Sequence, residues 1–520
     1  MFQPDAWYDA CDALGIMVYH DQMYAQQGHA PVANAVQDSE IRHQVRRLSH
    51  HPCIVMWDGC NECHVVINTP TGVYATFVMT VVAEEDASRA VWPSCPSDGW
   101  SAGVDRLTAR PNGSPKGLLP AGQGKIETHG PYEHGSGFPS VNGPNSLVLF
   151  PSNLPITVTP TDTGPQHKNI FASEFGCVTF SSFESMSATL DEAHWSLHGG
   201  APPDKCGIGF ATVCKGNNTL AQRNYACDNL IQVYFGAAQR AAIDDVGEAA
   251  FKRQLYQCML AQALEIKSNI ETRRSTNEFG TIVWQYNEIW PTGGWGSIEY
   301  GSPGVAGQVT GGRWKPLQYF YKKSIYKDVM AACSGKDGAC YVKNDGITAV
   351  SVRVTIHAVP FAGAGTPSSL FDQTISLPAG AGMTHFFTVP ALASLDAGAH
   401  VAVATVADAS SSGAVLSENV IALAPPAAMK GALPASPGVV ATVQDAPPAA
   451  DGSVGIELDT KGVALYVTLT TLAEGRFSDN AFLLTPAMGA VTIRFLPFGG
   501  AADVALLKKS LRVEHVAMYL

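Results

Sequence analysis

Two glutamates stand where carboxylate chemistry is at home. Glu62 closes the run Trp57-Asp58-Gly59-Cys60-Asn61-Glu62, directly after an apolar stretch, and Glu174 lies in Phe171-Ala172-Ser173-Glu174-Phe175-Gly176 at the end of another. Carboxyls brought to one pocket from separate strands can divide the labour of cleaving an acetal. One attacks the anomeric carbon; the other protonates the leaving oxygen and then activates water, an arrangement that needs the pair about 5 Å apart. The acid of such a pair must hold its proton at working pH, which burial or a neighbouring negative charge provides. Asn61 adds an amide able to hydrogen-bond a sugar hydroxyl beside the reacting carbon. A single Glu after a strand is ordinarily a solvated loop residue or a helix-start charge, so spacing alone does not single this pair out.

The elements that must position the two glutamates are legible in the hydrophobic pattern. Apolar runs at Ile16–Tyr19, Cys53–Trp57, Ala90–Trp92, Lys125–His129, Ile170–Glu174 and Thr281–Gln285 read as strands. Helical patterns at Asp5–Leu14, Asp38–His50, Val73–Arg89, Glu248–Arg274 and Pro316–Tyr326 lie among them. Strand–helix alternation with fully apolar strands predicts a parallel sheet covered by helices, with chemistry at the C-terminal strand ends. Six such runs fall short of the eight that a closed (β/α)₈ barrel needs. Beyond about residue 335, charge thins out and short alternating runs such as Ala349–Val354 predict antiparallel β-sandwich structure. The Ala- and Pro-rich stretch Ala424–Asp451 reads as a linker or long loop before a second β module.

Composition narrows the partners. A chain of 520 residues with 46% hydrophobic content exceeds one ordinary core and predicts two to four domains. Its formal net charge of −12 argues against nucleic acid or an anionic membrane as partner. The longest apolar stretch, near Val73–Ala83, is too short to span a bilayer. Twelve cysteines fit either redox compartment. Cys206, Cys214 and Cys227 in one loop-like stretch, and Cys333 with Cys340 around a short turn, are candidate disulfides of open pairing. The sequons at Asn112 and Asn217 lean towards a secreted or lysosome-like compartment.

The words around the two glutamates carry a resemblance. Residues 2–24, from Phe2-Gln3-Pro4-Asp5-Ala6-Trp7 to Tyr24, resemble the third-strand region of glycoside hydrolase family 2, in its β-mannosidase branch. Gln44–Leu48 with His51–Ile54 is similar to the helix before strand four, and Trp57–Glu62 to the acid/base motif Trp-x-Gly-x-Asn-Glu. Ser173-Glu174-Phe175-Gly176 resembles the nucleophile motif, Thr281–Pro291 the eighth-strand motif, and Gly312–Leu317 the segment after it. The resemblance covers essentially the whole chain. It implies an α/β plus all-β architecture: an incomplete (β/α)₈ TIM barrel, strands three to eight, over residues 1–332, then immunoglobulin-like β-sandwiches over 333–425 and 426–520. It also implies Glu62 as acid/base, Glu174 as nucleophile, Asn61, His129 and Tyr132 as substrate-binding residues, and Trp284 as the indole platform beneath the sugar. A carbohydrate substrate is expected, with no metal and no cofactor; oligomeric state is left open.

Departures qualify the sugar. Cys60 stands where the family often has Asn, Asn287-Glu288 where it usually has Asn-Asp, and His129-Gly130-Pro131-Tyr132-Glu133-His134 replaces a His-Tyr-Trp segment. β-Galactosidase or exo-β-glucosaminidase activity is therefore the runner-up to mannosidase. Because relatives carry two β domains and two barrel strands ahead of this point, the expectation is a chain truncated at its front. Open sheet edges should then leave it poorly stable, and a non-catalytic carbohydrate-binding remnant is the rival reading. Cys60-Asn61-Glu62-Cys63-His64 also fits a c-type haem pattern, and its thiols a zinc site. Its place on the acid/base motif instead favours packed thiols or a redox-sensitive pair.

Overall fold

A computed structural model of the chain describes residues 2–25, 32–63, 73, 77–92, 94–95, 108–109, 115–116, 127–133, 152–160, 164–165, 168–200, 220, 227–243, 245–288, 293–299, 302–303, 309–310, 312–380, 382–410, 413–445 and 447–520. They fall into two units. The first comprises Met1–Pro131, Lys168–Phe175 and Glu278–Val283; the second comprises Tyr132–His167, Gly176–Asn277 and Trp284–Leu520.

In the first unit, helix α1 (Asp5–Leu14) buries Tyr8 and Cys11, one turn apart, and ends at Gly15, whose φ of +68° favours a residue without a β-carbon. Strand β1 (Val18–Asp21) follows. Helix α2 (Ala35–Leu48) starts where the Asn34 side chain accepts the Gln37 amide at 2.9 Å, and it buries Ile41, Val45 and Leu48 along one stripe. Strand β2 (Ile54–Asp58), helix α3 (Met79–Glu85) and strand β3 (Ala90–Trp92) complete the series. The three strands lie in the order β1-β2-β3, parallel throughout. Tyr8, Val45, Leu48, Trp57, Met79 and Val82 share their core. A second three-stranded sheet orders Glu127–Glu133, Lys168–Cys177 and Glu278–Val283, the last two parallel.

The six runs read as strands thus overlap strands in the structure, with ends shifted by a few residues. The helix expected over Val73–Arg89 is shorter: it ends at Glu85, where Asp86 turns extended and accepts the Trp57 indole N–H at 2.9 Å. Arg42 and Arg46 of α2 reach the same helix end, with Arg42 Nη1 2.8 Å and Arg46 Nη2 2.7 Å from Glu85 Oε1.

The second unit is mostly β. Val329–Cys333, Ala339–Asn344 and Met383–Thr388 form one sheet, with Gly164–Pro165 at its edge; Ser368–Leu377, Val350–Pro360, His400–Asp408 and Val415–Ile421 form another. Their inner faces share the core of Val342, Val352, Val354, Ile356, Ala404 and Val406. Strands between Val440 and Glu514 make two further sheets around Ile456, Leu458, Val467, Phe477 and Phe495. The stretch expected as a linker is partly ordered structure, because Val440–Val443 pairs antiparallel with Val454–Asp459. Helix Glu248–Ser275 is buried along most of its length. It carries Cys258, disulfide-bonded to Cys227, so Cys227 bridges two helices rather than closing a loop; Cys333 and Cys340 are bonded as anticipated. Cys206 and Cys214, like the sequons at Asn112 and Asn217, lie outside the described residues. Among the described residues, no helix is long and apolar enough to cross a membrane.

Candidate active site

Parallel pairing carries Glu62 just past the sheet. Beyond Asp58 the chain keeps a parallel register, with Asn61 bridged to Ala25 on one side and to Cys95 on the other. The Asn61 amide donates to the Tyr24 carbonyl at 3.0 Å, the Glu62 amide to the Cys95 carbonyl at 2.7 Å, and the Cys95 amide to the Cys60 carbonyl at 3.0 Å. Glu62 itself adopts a φ of +57°. A non-glycine residue in this left-handed region costs on the order of 1 kcal/mol and persists where surrounding bonds enforce it.

His129 and Glu174 come from the second sheet of the same unit. His129 is buried on the strand Glu127–Glu133, and its Nε2 lies 3.0 Å from Glu62 Oε1 and 3.8 Å from Glu174 Oε1. The donor atoms of Glu62, His129 and Glu174 all lie within 4.8 Å of one another. The two carboxyls are therefore as close as a nucleophile and acid/base pair requires. A divalent cation could also be held by these three atoms.

On the other face of the imidazole, Nδ1 lies 3.3 Å from Cys95 Sγ and 3.4 Å from Ser173 Oγ, and Cys95 Sγ is 2.7 Å from Ser173 Oγ. The Cys95 thiol donates to Ser173 Oγ and the Ser173 hydroxyl to the Thr128 carbonyl at 3.3 Å, so the imidazole meets Ser173 at Nδ1 and Glu62 at Nε2. Asp21, at the end of β1 and opposite Asp58, joins the site electrostatically. Burial pushes its carboxyl up to about 7; the charge of Glu174 adds to that rise and His129 opposes it. Below them the Tyr19 hydroxyl donates to Asp58 Oδ2 at 2.5 Å.

Of the residues expected at the site, the structure brings Glu62, His129 and Glu174 together, with Asn61 adjacent in the chain. Trp284 belongs to the second unit, directly after Val283, with its side chain 41% exposed. The side chain of Tyr132 and all of His64 lie outside the described residues. Sequence reasoning passed over Asp21, Cys95 and Ser173 as participants. Asp21 does carry a sequence signal, as a carboxylate at the C-terminal end of a parallel strand, two residues beyond the apolar run Ile16–Tyr19. Cys60 and Cys63 are disulfide-bonded to each other.

The chain has relatives of known name. Residues 435–518 match the Ig_mannosidase family, described as an Ig-fold domain. β-Mannosidase of Capra hircus is 27% identical over 355 residues, 62% of this chain and 33% of that protein. The Bos taurus enzyme of the same name is 26% identical over 391 residues, 68% and 37%. Among solved structures, the β-D-mannosidase of Dictyoglomus thermophilum superposes with a TM-score of 0.63 at 18% identity, over 99% of this chain and 54% of that one. The exo-chitosanase of Amycolatopsis orientalis gives 0.61 at 16%, over 99% and 58%. The chain thus spans about a third of the length of the curated relatives. Together with the motifs around Glu62 and Glu174, these likenesses make the chain similar to the β-mannosidases, with a domain of the Ig_mannosidase kind at residues 435–518.

Proposed function

We propose that this protein hydrolyses terminal β-linked mannose by double displacement, with retention of anomeric configuration. The observation that carries the reading is the approach of Glu62 and Glu174 around His129, their donor atoms all within 4.8 Å of one another. In this reading Glu174 attacks the anomeric carbon and forms a glycosyl ester, while Glu62 protonates the leaving oxygen. Glu62 then takes a proton from water as the ester is hydrolysed. His129 orients Glu62 through its Nε2, and Asn61 holds the sugar 2-hydroxyl. Six strands of the first unit (β1, β2, β3, Glu127–Glu133, Lys168–Cys177 and Glu278–Val283) are read as strands three to eight of the family's (β/α)₈ barrel. Mannose is favoured by the names of the curated relatives.

The test is hydrolysis of a panel of p-nitrophenyl β-glycosides, including mannoside, galactoside and glucosaminide, with Glu174→Gln beside the natural protein. Release from the mannoside, lost by a factor of at least about 10⁴ in the variant, supports the reading. Release from a different sugar alone corrects the substrate, and turnover that survives the substitution removes the mechanism.

A further inference from the structure

The loop carrying Glu62 is closed by a bond that the hydrolytic chemistry does not use. Cys60 and Cys63 form a disulfide across Asn61 and Glu62, with their Cα atoms 5.8 Å apart and both residues buried. Inside this small ring Glu62 holds its left-handed φ of +57°, which a residue with a β-carbon leaves readily unless it is constrained. The Glu62 amide to the Cys95 carbonyl (2.7 Å) and the Cys63 amide to Ser94 Oγ (2.9 Å) tie the turn to the strand beside it. The disulfide joins the two ends of the turn to each other. The backbone at Glu62 sets the direction of its Cβ, and hence whether its carboxylate meets His129 Nε2 at 3.0 Å.

We propose that the Cys60–Cys63 disulfide is a positioning element that holds Glu62 in its acid/base pose, and that its reduction by a dithiol reversibly disables the site. The functional half of this rests on the hydrolytic reading above. In the reduction, a thiolate of the reagent attacks one sulfur of the bridge and displaces the other as a thiolate. The reagent's second thiol then closes on the mixed disulfide. The reagent leaves as a cyclic disulfide, and two electrons and two protons end on Cys60 and Cys63. Freed of the ring, Glu62 relaxes to negative φ and its carboxylate swings away from His129.

Three measurements on the full chain test this. Peptide mapping under non-reducing conditions should recover Cys60 bonded to Cys63. Dithiothreitol should lower kcat by 10- to 100-fold, on the order expected for a misplaced catalytic group, with KM changed less than about twofold and activity restored on reoxidation. The Cys60→Ala/Cys63→Ala variant should be low in kcat and indifferent to the reagent, which separates the effect from the Cys227–Cys258 and Cys333–Cys340 bridges. Amide exchange at Glu62, followed by mass spectrometry, should quicken on reduction. Free thiols at both positions in the mapped protein, an unchanged kcat in the reduced form, or exchange indifferent to reduction each overturns the proposal. If the oxidised protein cleaves no glycoside, the hydrolytic reading falls, and the exchange measurement still decides whether the bridge holds the loop.

Discussion

At the scale of single residues, His129 connects the features of the site. Its Nε2 faces Glu62 and Glu174, while Cys95 and Ser173 hold its Nδ1. Replacing it by Ala should lower kcat by roughly 10²-fold and also lower the thermal midpoint, since a buried ring and its polar contacts are lost with it. Ser173→Ala, with Cys95 still able to donate, should cost less; equal losses would show that the thiol does not share the role. Elsewhere, Glu288, where the family usually has Asp, is fully buried against Lys315 and accepts the Gly296 amide at 2.9 Å. Gly294 leaves room for it, since a β-carbon there would collide with the Glu288 carboxylate. Lys315→Met should strand a buried charge and destabilise the fold by about 3–5 kcal/mol in denaturant titrations; a loss below about 1 kcal/mol would contradict the buried pairing. The two glutamates were legible in sequence because motif words surround them. Cys95 was not, because its role arises from partners dozens of residues away.

At the scale of elements, local chemistry fixed what was easiest to read. Helix α1 matches its expected bounds because Gly15 stops it and Tyr8 and Cys11 mark its buried stripe. Helix α2 begins earlier than its charged pattern suggested, since Asn34 caps it by accepting the Gln37 amide. Asn34→Ala should therefore cost about 1 kcal/mol of stability, measured by denaturant unfolding, with little change in kcat. A neutral result would mean that tertiary contacts alone set the helix start. Composition misled where pairing partners decide the outcome. The Ala- and Pro-rich stretch after Ala424 looked unstructured, yet Val440–Val443 gains a ladder from Val454–Asp459. Cys227 looked like a loop cysteine, but its partner, Cys258, sits on a helix 31 positions away. Neither partner is visible in a local window.

At the scale of the whole molecule, burial and ion pairing set a pH range for stability. Hydrogen bonds from Arg46 and Arg42 hold the Glu85 carboxyl down at about 2. At Asp12 burial pushes upward, but hydrogen bonds from Cys53 and His51 outweigh it. Groups lowered in this way stabilise the fold above their unfolded values and lose that contribution as pH falls through the folded ones. Asp21 and Glu514 go the other way, each raised to about 7, chiefly by burial. Their contribution is full below the unfolded carboxyl range and is lost as pH rises through 7. The thermal midpoint at fixed scan rate should therefore peak between about pH 4.5 and 6 and fall on both sides. A midpoint still climbing from pH 6 to 8 would show that Asp21 and Glu514 are not held protonated.

The central claim is that Glu62 and Glu174 act as a retaining pair, and the configuration of the first-released sugar tests it most directly. Hydrolysis of a β-mannoside followed by proton NMR in the first minutes, before mutarotation, should show the β-anomer appearing ahead of the α-anomer. The α-anomer appearing first, or no release at all, would contradict the account.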